Sequence, residues 1–319
     1  MTTYTKPHLT FTDQVRLLKS RGLLIDDEAE AEHLLSVIGY YRLSGYWYSY
    51  RRLDGGVRAD QFVEGTSFRQ VVRLYDVDRQ LKLQVLDAVE RIEIAVRVLI
   101  GFTLGRRGAY AHLDGGHLDG RFTQSSGSRP STYDRWLRKV LAAQTRSSED
   151  FVVHFQHKYD GRLPVWVLTE ILDFGSMSYL FQGLKASDRN EIAARLDVLD
   201  RRGDGNGGAL ANWLRVLNYV RNVCAHHSRL WNRNLADQLA PSHLRSIPDL
   251  RHLTDHEVSH SRIYSTLCVI AFLLARVAQR PQWATQVRQL IGEGIPACGR
   301  GVHELGFPHG WMAERPWVR

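Results

Sequence analysis

Residues 67–101 read SFRQVVRLYDVDRQLKLQVLDAVERIEIAVRVLIG, a stretch with no proline and with its one glycine at the end. Nothing within it breaks a helix. Stepped at about 100° per residue, Asp87, Glu90, Glu93 and Arg97 share one face and the other faces are apolar. So long an unbroken helical pattern, apolar along its length, predicts the spine of a helical bundle.

Working upstream, Thr10 or Thr12 can cap a first helix, FTDQVRLLKSRG, which Gly22 ends. A second starts near Asp26 with acids in its first turn. IGYYRLSGYWYSYRR follows, dense in aromatics and arginines, and DGGVRADQFVEGTS reads as a hairpin-like or irregular connection. Downstream, residues 105–131 are rich in Gly, Ser, Asp and Arg and predict a mobile loop or a boundary. Helices are expected from Tyr133 to Gln144, over 149–158, from Pro164 with a bend or stop at Gly175, and over 187–199. One more runs from Ala209 to Leu230, and an apolar core helix spans 257–279. Strand signals are few and no repeat is evident, so the chain reads as all-α. The expected organisation is an N-terminal helical and aromatic region (1–66), a bundle (67–279) with an inserted loop near 105–131, and a tail (280–319) packed on the bundle.

Composition narrows the function. The chain has 319 residues, and its 44% hydrophobic content supports a packed core. The apolar run around Thr266–Ala275 is too short to span a bilayer, and MTTYTK is not followed by the apolar segment of a signal peptide. Cys224, Cys268 and Cys298 are widely spaced and form no zinc framework, which fits a reducing cytoplasm. The net charge is +8, and the basic residues are mostly arginine, whose guanidinium fork matches phosphate oxygens. A phosphate-bearing partner, nucleic acid first, is expected.

The helix that ends in NYVRNVCAHHSRLWNR, residues 218–233, carries the chemistry. On a helical wheel Asn218, Arg221, Asn222, His226 and Arg229 fall within a sector of roughly 140°. Trp213, Val216, Leu217, Val220, Val223, Cys224 and Leu230 lie opposite, and His227 falls among them. The wheel therefore predicts His226 in a polar cleft and His227 in the core. Imidazole moves protons near neutral pH, and guanidinium stabilises charge gathering on phosphoryl oxygens. An amide orients either one. RNA brings its own nucleophile, the 2′-hydroxyl, so these groups suffice for cleavage by internal transesterification without a metal or cofactor. Such a reaction wants both an acid and a base, and one histidine supplies only one of them. A symmetric homodimer would supply the second. A buried polar seam or a site that only binds RNA remains the competing reading of the same helix.

The string VRNVCAHHSRLWNR resembles the hallmark of Abi-like proteins, the abortive-infection AbiD/AbiF group, and the Arg-to-His motif of the HEPN superfamily, here Arg221, Asn222 and His226. RGLLIDD, IGYYRLSGYWY, YDVDRQLKLQVLDAVERIEIAVR, LPVWVLTEILDFGSMSYL and GFPHGWMAERPW are similar to stretches of the Abi-like pattern, in the same order. The resemblance implies an α-helical HEPN-type bundle with additional N- and C-terminal helices, usually dimeric. It also implies a metal-independent endoribonuclease acting as a toxin in phage defence, in some relatives restrained by a small structured RNA. It gives Arg221 and His226 the catalytic places and Asn222 the accompanying polar one. Asn218, Arg229 and Arg233 are expected to hold the substrate.

Other residues compete for a role. Glu90 and Glu93 could meet Arg221 across the bundle, but for Glu93 the favoured reading is a bridge to Arg97 four residues on, with Glu90 left open. Tyr40, Tyr41, Tyr46, Trp47, Tyr48 and Tyr50, with Arg42, Arg51 and Arg52, could stack on bases, yet aromatics at a chain corner more often build core. HEVSH (residues 256–260) matches the zinc-hydrolase spacing of His256 and His260 literally, but no third ligand is evident.

Overall fold

The computed structural model describes residues 7–127, 129–255, 258–278 and 282–318, with Thr3, Thr5 and Arg280. The chain is predominantly helical. Its elements are α1 (Phe11–Ser20), α2 (Glu28–Ile38), α3 (Tyr40–Trp47), β1 (Arg51–Asp54), β2 (Val57–Phe62), α4 (Phe68–Gly105), α5 (Gly120–Thr123), α6 (Thr132–Arg146) and α7 (Asp150–Lys158). They continue with α8 (Val165–Leu168), α9 (Phe174–Gly183), α10 (Ala186–Arg195), α11 (Gly207–Ala225), α12 (Ile263–Val277) and α13 (Gln282–Gly294).

The expected spine is α4. Ser67 opens it with a reciprocal cap: its hydroxyl accepts from the Gln70 amide at 3.2 Å, and the Gln70 side chain accepts from the Ser67 amide at 2.9 Å. Val71, Leu74, Leu81, Val85, Val89, Ile92, Val96 and Ile100 are buried along it. Helices α3, α8, α10, α11, α12 and α13 pack around it. Three charged residues, Asp78, Lys82 and Glu93, are buried on the spine as well. The wheel did not single out Asp78 and Lys82: they pair with each other four residues apart, but the groups that satisfy Asp78 come from distant segments.

Helix α12 is buried along nearly its whole length, which explains its all-round apolar character. It starts at Ile263 rather than near 257. Among the described residues no helix is long and apolar enough to cross a membrane. The C-terminal segment packs on α12 through an aromatic cluster: Phe307 lies 4.7 Å from Tyr264 and 4.6 Å from Trp311, and Trp311 lies 5.4 Å from Trp317. Helix α13 lies on α4, where Trp283 donates its indole N–H to the Gln84 carbonyl at 2.9 Å. Cys224, Cys268 and Cys298 are all buried and unpaired.

Several boundaries move. Thr10 is the cap of α1, and Asp27 rather than Asp26 caps α2. The hairpin-like connection is a true antiparallel ribbon of β1 and β2, turned by Gly55 and Gly56, both at positive φ. Gly175 neither bends nor stops a helix. The break falls just before it, where Asp173 caps α9 and accepts from the Ser176 amide at 2.6 Å.

Residues 105–131, expected as a mobile loop, contain short helical turns anchored in the core. Leu118 and Phe122 are buried, and the Asp119 amide donates to the Gly183 carbonyl at 2.9 Å. Phe122 sits where a Cβ on Gly183 would approach to 2.4 Å, so only glycine admits the ring. His112 lies in this segment, 2% exposed, with its Nδ1 unpartnered. Burial, helped by the Arg162 charge, pushes its pKa down from 6.5 to about 4. The unfolded chain takes a proton at this ring below pH 6.5, whereas the folded chain does not until about pH 4. Stability is therefore lost as pH falls through that window, by roughly 3 kcal/mol in full. Burial shifts His243, His252 and His260 in the same direction. Denaturant titrations from pH 7 to pH 4 should show this slope, and His112→Phe should flatten much of it. An unchanged slope in that variant would remove His112 from the account.

Candidate active site at the end of helix α11

Asn206 caps α11, its side chain accepting from the Ala209 amide at 2.9 Å. Leu210, Trp213, Leu214, Leu217, Val220 and Val223 bury the inner face. Asn218, Arg221 and Asn222 are half-buried on the outer one. Their polar ends form a chain: Arg221 Nη1 lies 3.3 Å from Asn222 Oδ1, and Asn222 Nδ2 lies 3.5 Å from Asn218 Oδ1. The helix ends at Ala225, five residues before the expected Leu230. The His226 amide donates to the Asn222 carbonyl at 2.9 Å, so His226 keeps helical register one turn beyond Asn222 and is exposed.

The next residue reverses the chain. His227 has φ +55°, in the left-handed region. Its amide donates to Cys224 O at 3.0 Å, and the Ser228 amide donates to Val223 O at 3.0 Å, the paired closure of a Schellman motif with histidine where glycine is usual. His227 is therefore exposed and not in the core, because the wheel no longer applies once the helix has stopped. Arg42 of α3 holds this turn by donating to the His227 carbonyl at 2.6 Å.

Past the turn the geometry also departs from the wheel. Arg229 does not continue the polar face. It is half-buried against α3 and donates to the Gly45 carbonyl at 2.6 Å, and burial lowers its pKa. The Leu230 and Trp231 amides donate to the Asp78 carboxylate at 3.2 and 2.6 Å, and the Tyr46 hydroxyl donates to the same group at 2.7 Å. Lys82 pairs with it at 3.4 Å. Arg233 reaches the Tyr219 hydroxyl at 3.3 Å and the Arg229 carbonyl at 3.4 Å.

Two carboxylates, Glu93 and Asp173, lie near the outer face of α11. Glu93 pairs with Arg97, which also donates to the Leu172 carbonyl at 2.5 Å. Burial raises the Glu93 pKa, and the Arg97 and Arg221 guanidiniums oppose that rise. Glu93 thus pairs with Arg97 and feels the Arg221 charge, whereas Glu90 is exposed on the outer surface. Asp173 also faces Glu93 and pairs with Lys139 at 2.7 Å. Burial would raise Asp173, but the Lys139 ammonium and the Ser176 hydrogen bonds outweigh it and hold it below the usual carboxylate range. The Asn218 amide approaches within 3.7 Å of where a Gly175 Cβ would stand, which sets the start of α9 against the site. The signal for Asp173 was present as an acid three residues before a serine, in LDFGS, an N-cap pattern.

His256 lies outside the described residues. His260 is half-buried with Nδ1 unpartnered. Among the described residues no group of three or more His, Cys, Asp or Glu side chains is placed to hold a metal ion.

A mostly helical protein that brings a guanidinium, two amides and an exposed imidazole to one helix end, backed by a buried carboxylate, belongs among proteins with a polar site built on a bundle helix. The family model for Abi-like protein matches residues 33–232, from the middle of α2 to just past the histidine turn. The chain belongs to the Abi-like family, which points to abortive infection as a defence against phage. No curated protein and no solved structure matches it.

Proposed function

We propose that this protein is a metal-independent endoribonuclease of the HEPN type, acting as a toxin in abortive infection. What supports the reading is one observation above the rest. Arg221, Asn222 and His226 stand on one helix edge, and the histidine is open to solvent. His226 exchanges a proton with the ribose 2′-hydroxyl or the 5′-oxygen. Arg221 holds the charge that builds on the phosphoryl oxygens, and Asn222 orients Arg221. The 2′-oxygen forms its bond to phosphorus as the bond to the 5′-oxygen breaks, leaving a 2′,3′-cyclic phosphate and a 5′-hydroxyl. His227 sits in the turn beyond the helix end, and the second proton carrier is assigned to another copy of the chain, in a homodimer with a shared site. An exposed apolar stripe of Ile94, Val98, Phe102 and Trp166 beside Arg97 suits such a contact. A small structured RNA is a fitting restraint for a toxin of this kind, and the cytoplasm is where its substrate lies.

Purified protein should cut single-stranded RNA in excess EDTA, yield the cyclic phosphate, sediment as a dimer and leave DNA of the same sequence whole. Cleavage that stops with EDTA, or that takes DNA equally, would refute the mechanism. Salt-dependent RNA binding without turnover would instead establish the second reading, an RNA-binding or sensing protein with the same basic site.

A further inference from the structure

The exposed face of α3 is unlike the rest of the aromatic run. Tyr46, Trp47 and Tyr50 are buried, and Tyr40 is half-buried with its hydroxyl accepting from Arg21 at 3.1 Å. Tyr41 is 92% exposed and Tyr48 is 54% exposed. Spacings of four and seven residues put Tyr41, Gly45 and Tyr48 on one outer edge, with the two tyrosines about 10 Å apart along the axis. The histidine turn lies across this edge. Arg42 grips the His227 carbonyl at 2.6 Å, and the Arg229 side chain runs 3.5 Å from where a Cβ on Gly45 would be. Arg233 and Arg262 add positive charge around Arg229. Arg51 lies 6.0 Å from the Tyr48 ring and shares Asp60 with Arg21. Open aromatic rings set among arginines are what a single-stranded polynucleotide requires: planar faces for bases and cations for the phosphates between them.

We propose that the outer face of α3 is a stacking platform for single-stranded RNA, with Tyr41 receiving a base next to the phosphate that Arg221 and His226 address. The proposal rests on the ribonuclease reading for its substrate and adds the surface that positions it. Tyr41 is a positioning residue, and no reacting atom touches it.

The test uses a 2′-O-methyl RNA of about 12 nucleotides carrying 2-aminopurine, which the ribonuclease mechanism cannot cut because its nucleophile is blocked. Wild-type protein should bind it and quench the fluorophore. Tyr41→Ala should weaken binding by about tenfold, and Tyr41→Trp should restore it to within about twofold, as stacking demands. The Tyr41 side chain is almost wholly in solvent, so neither change should disturb folding. Absence of binding by the wild type, or equal affinity in Tyr41→Ala, overturns the platform. So does a Tyr41→Ala protein that changes its sedimenting mass and not its affinity, because the face would then belong to a protein contact. Tyr41-dependent binding in a protein that leaves native RNA intact would sink the ribonuclease and keep the platform. Cleavage indifferent to Tyr41→Ala would do the opposite.

Discussion

Replacing His226 with alanine leaves the melting temperature in place and lowers RNA cleavage by about 10²- to 10⁴-fold, the range lost with a general acid or base. The melting temperature holds because the exposed imidazole makes no hydrogen bond among the described residues, and the backbone of His226 closes the helix. Arg221→Ala should lose about 10²- to 10³-fold in kcat, as removal of a group that stabilises transition-state charge does. Glu93 keeps Arg97 as its partner in that variant, so the fold survives. The neighbouring histidine is the control. His227→Gly should cleave at the wild-type rate and gain about 1 kcal/mol of stability, because glycine relieves the left-handed backbone. Gel cleavage assays and thermal melts on the three variants decide the matter. Wild-type cleavage by His226→Ala, or loss of it in His227→Gly, would exchange or remove the assigned roles.

Asp78→Ala should cost about 3 to 5 kcal/mol, the usual result of breaking a buried ion pair from one side. Its carboxylate is 3% exposed as a residue and accepts from the Tyr46 hydroxyl and from two backbone amides, with Lys82 alongside. Truncation leaves an ammonium, a phenol and two N–H groups in the interior without an acceptor. For a chain of this size the melting temperature should fall by roughly 6 °C. Removing both charges, as in Asp78→Leu with Lys82→Met, should recover part of the loss, because the stranded ammonium is then absent. Urea melts of the two variants separate the outcomes. A double variant as unstable as the single one would mean that the amide contacts, and not the buried charge, carry the cost.

The two helices that matter most differed in how well the chain announced them. Helix α4 was legible because its period runs unbroken and its ends carry local signals. The far end of α11 was not. No glycine or proline follows Ala225 before Pro241, so local rules extend the helix to Leu230. What stops it is tertiary: Asp78, some 150 positions earlier, takes the Leu230 and Trp231 amides, and Arg42 takes the His227 carbonyl. The same long reach explains why Arg229 left the polar face. Residues 105–131 misled in another way. Their composition is that of a loop, but Leu118 and Phe122 were enough to anchor it once Gly183 made room. Arg221, Asn222 and His226 keep the register the wheel gave them because they lie before the break and at its edge, where the period still holds.

The three cysteines have a practical bearing. Burial pushes the Cys224 thiol up to about 12 and that of Cys298 up to about 11, and raises Cys268 as well. At neutral pH roughly one thiol in ten thousand, or fewer, is then the nucleophilic anion, and each sits beneath packed side chains. Native protein therefore resists alkylation and air oxidation without reductant. A single cysteine engineered onto the surface becomes a clean handle for a dye or spin label, with no need to strip the natural ones first.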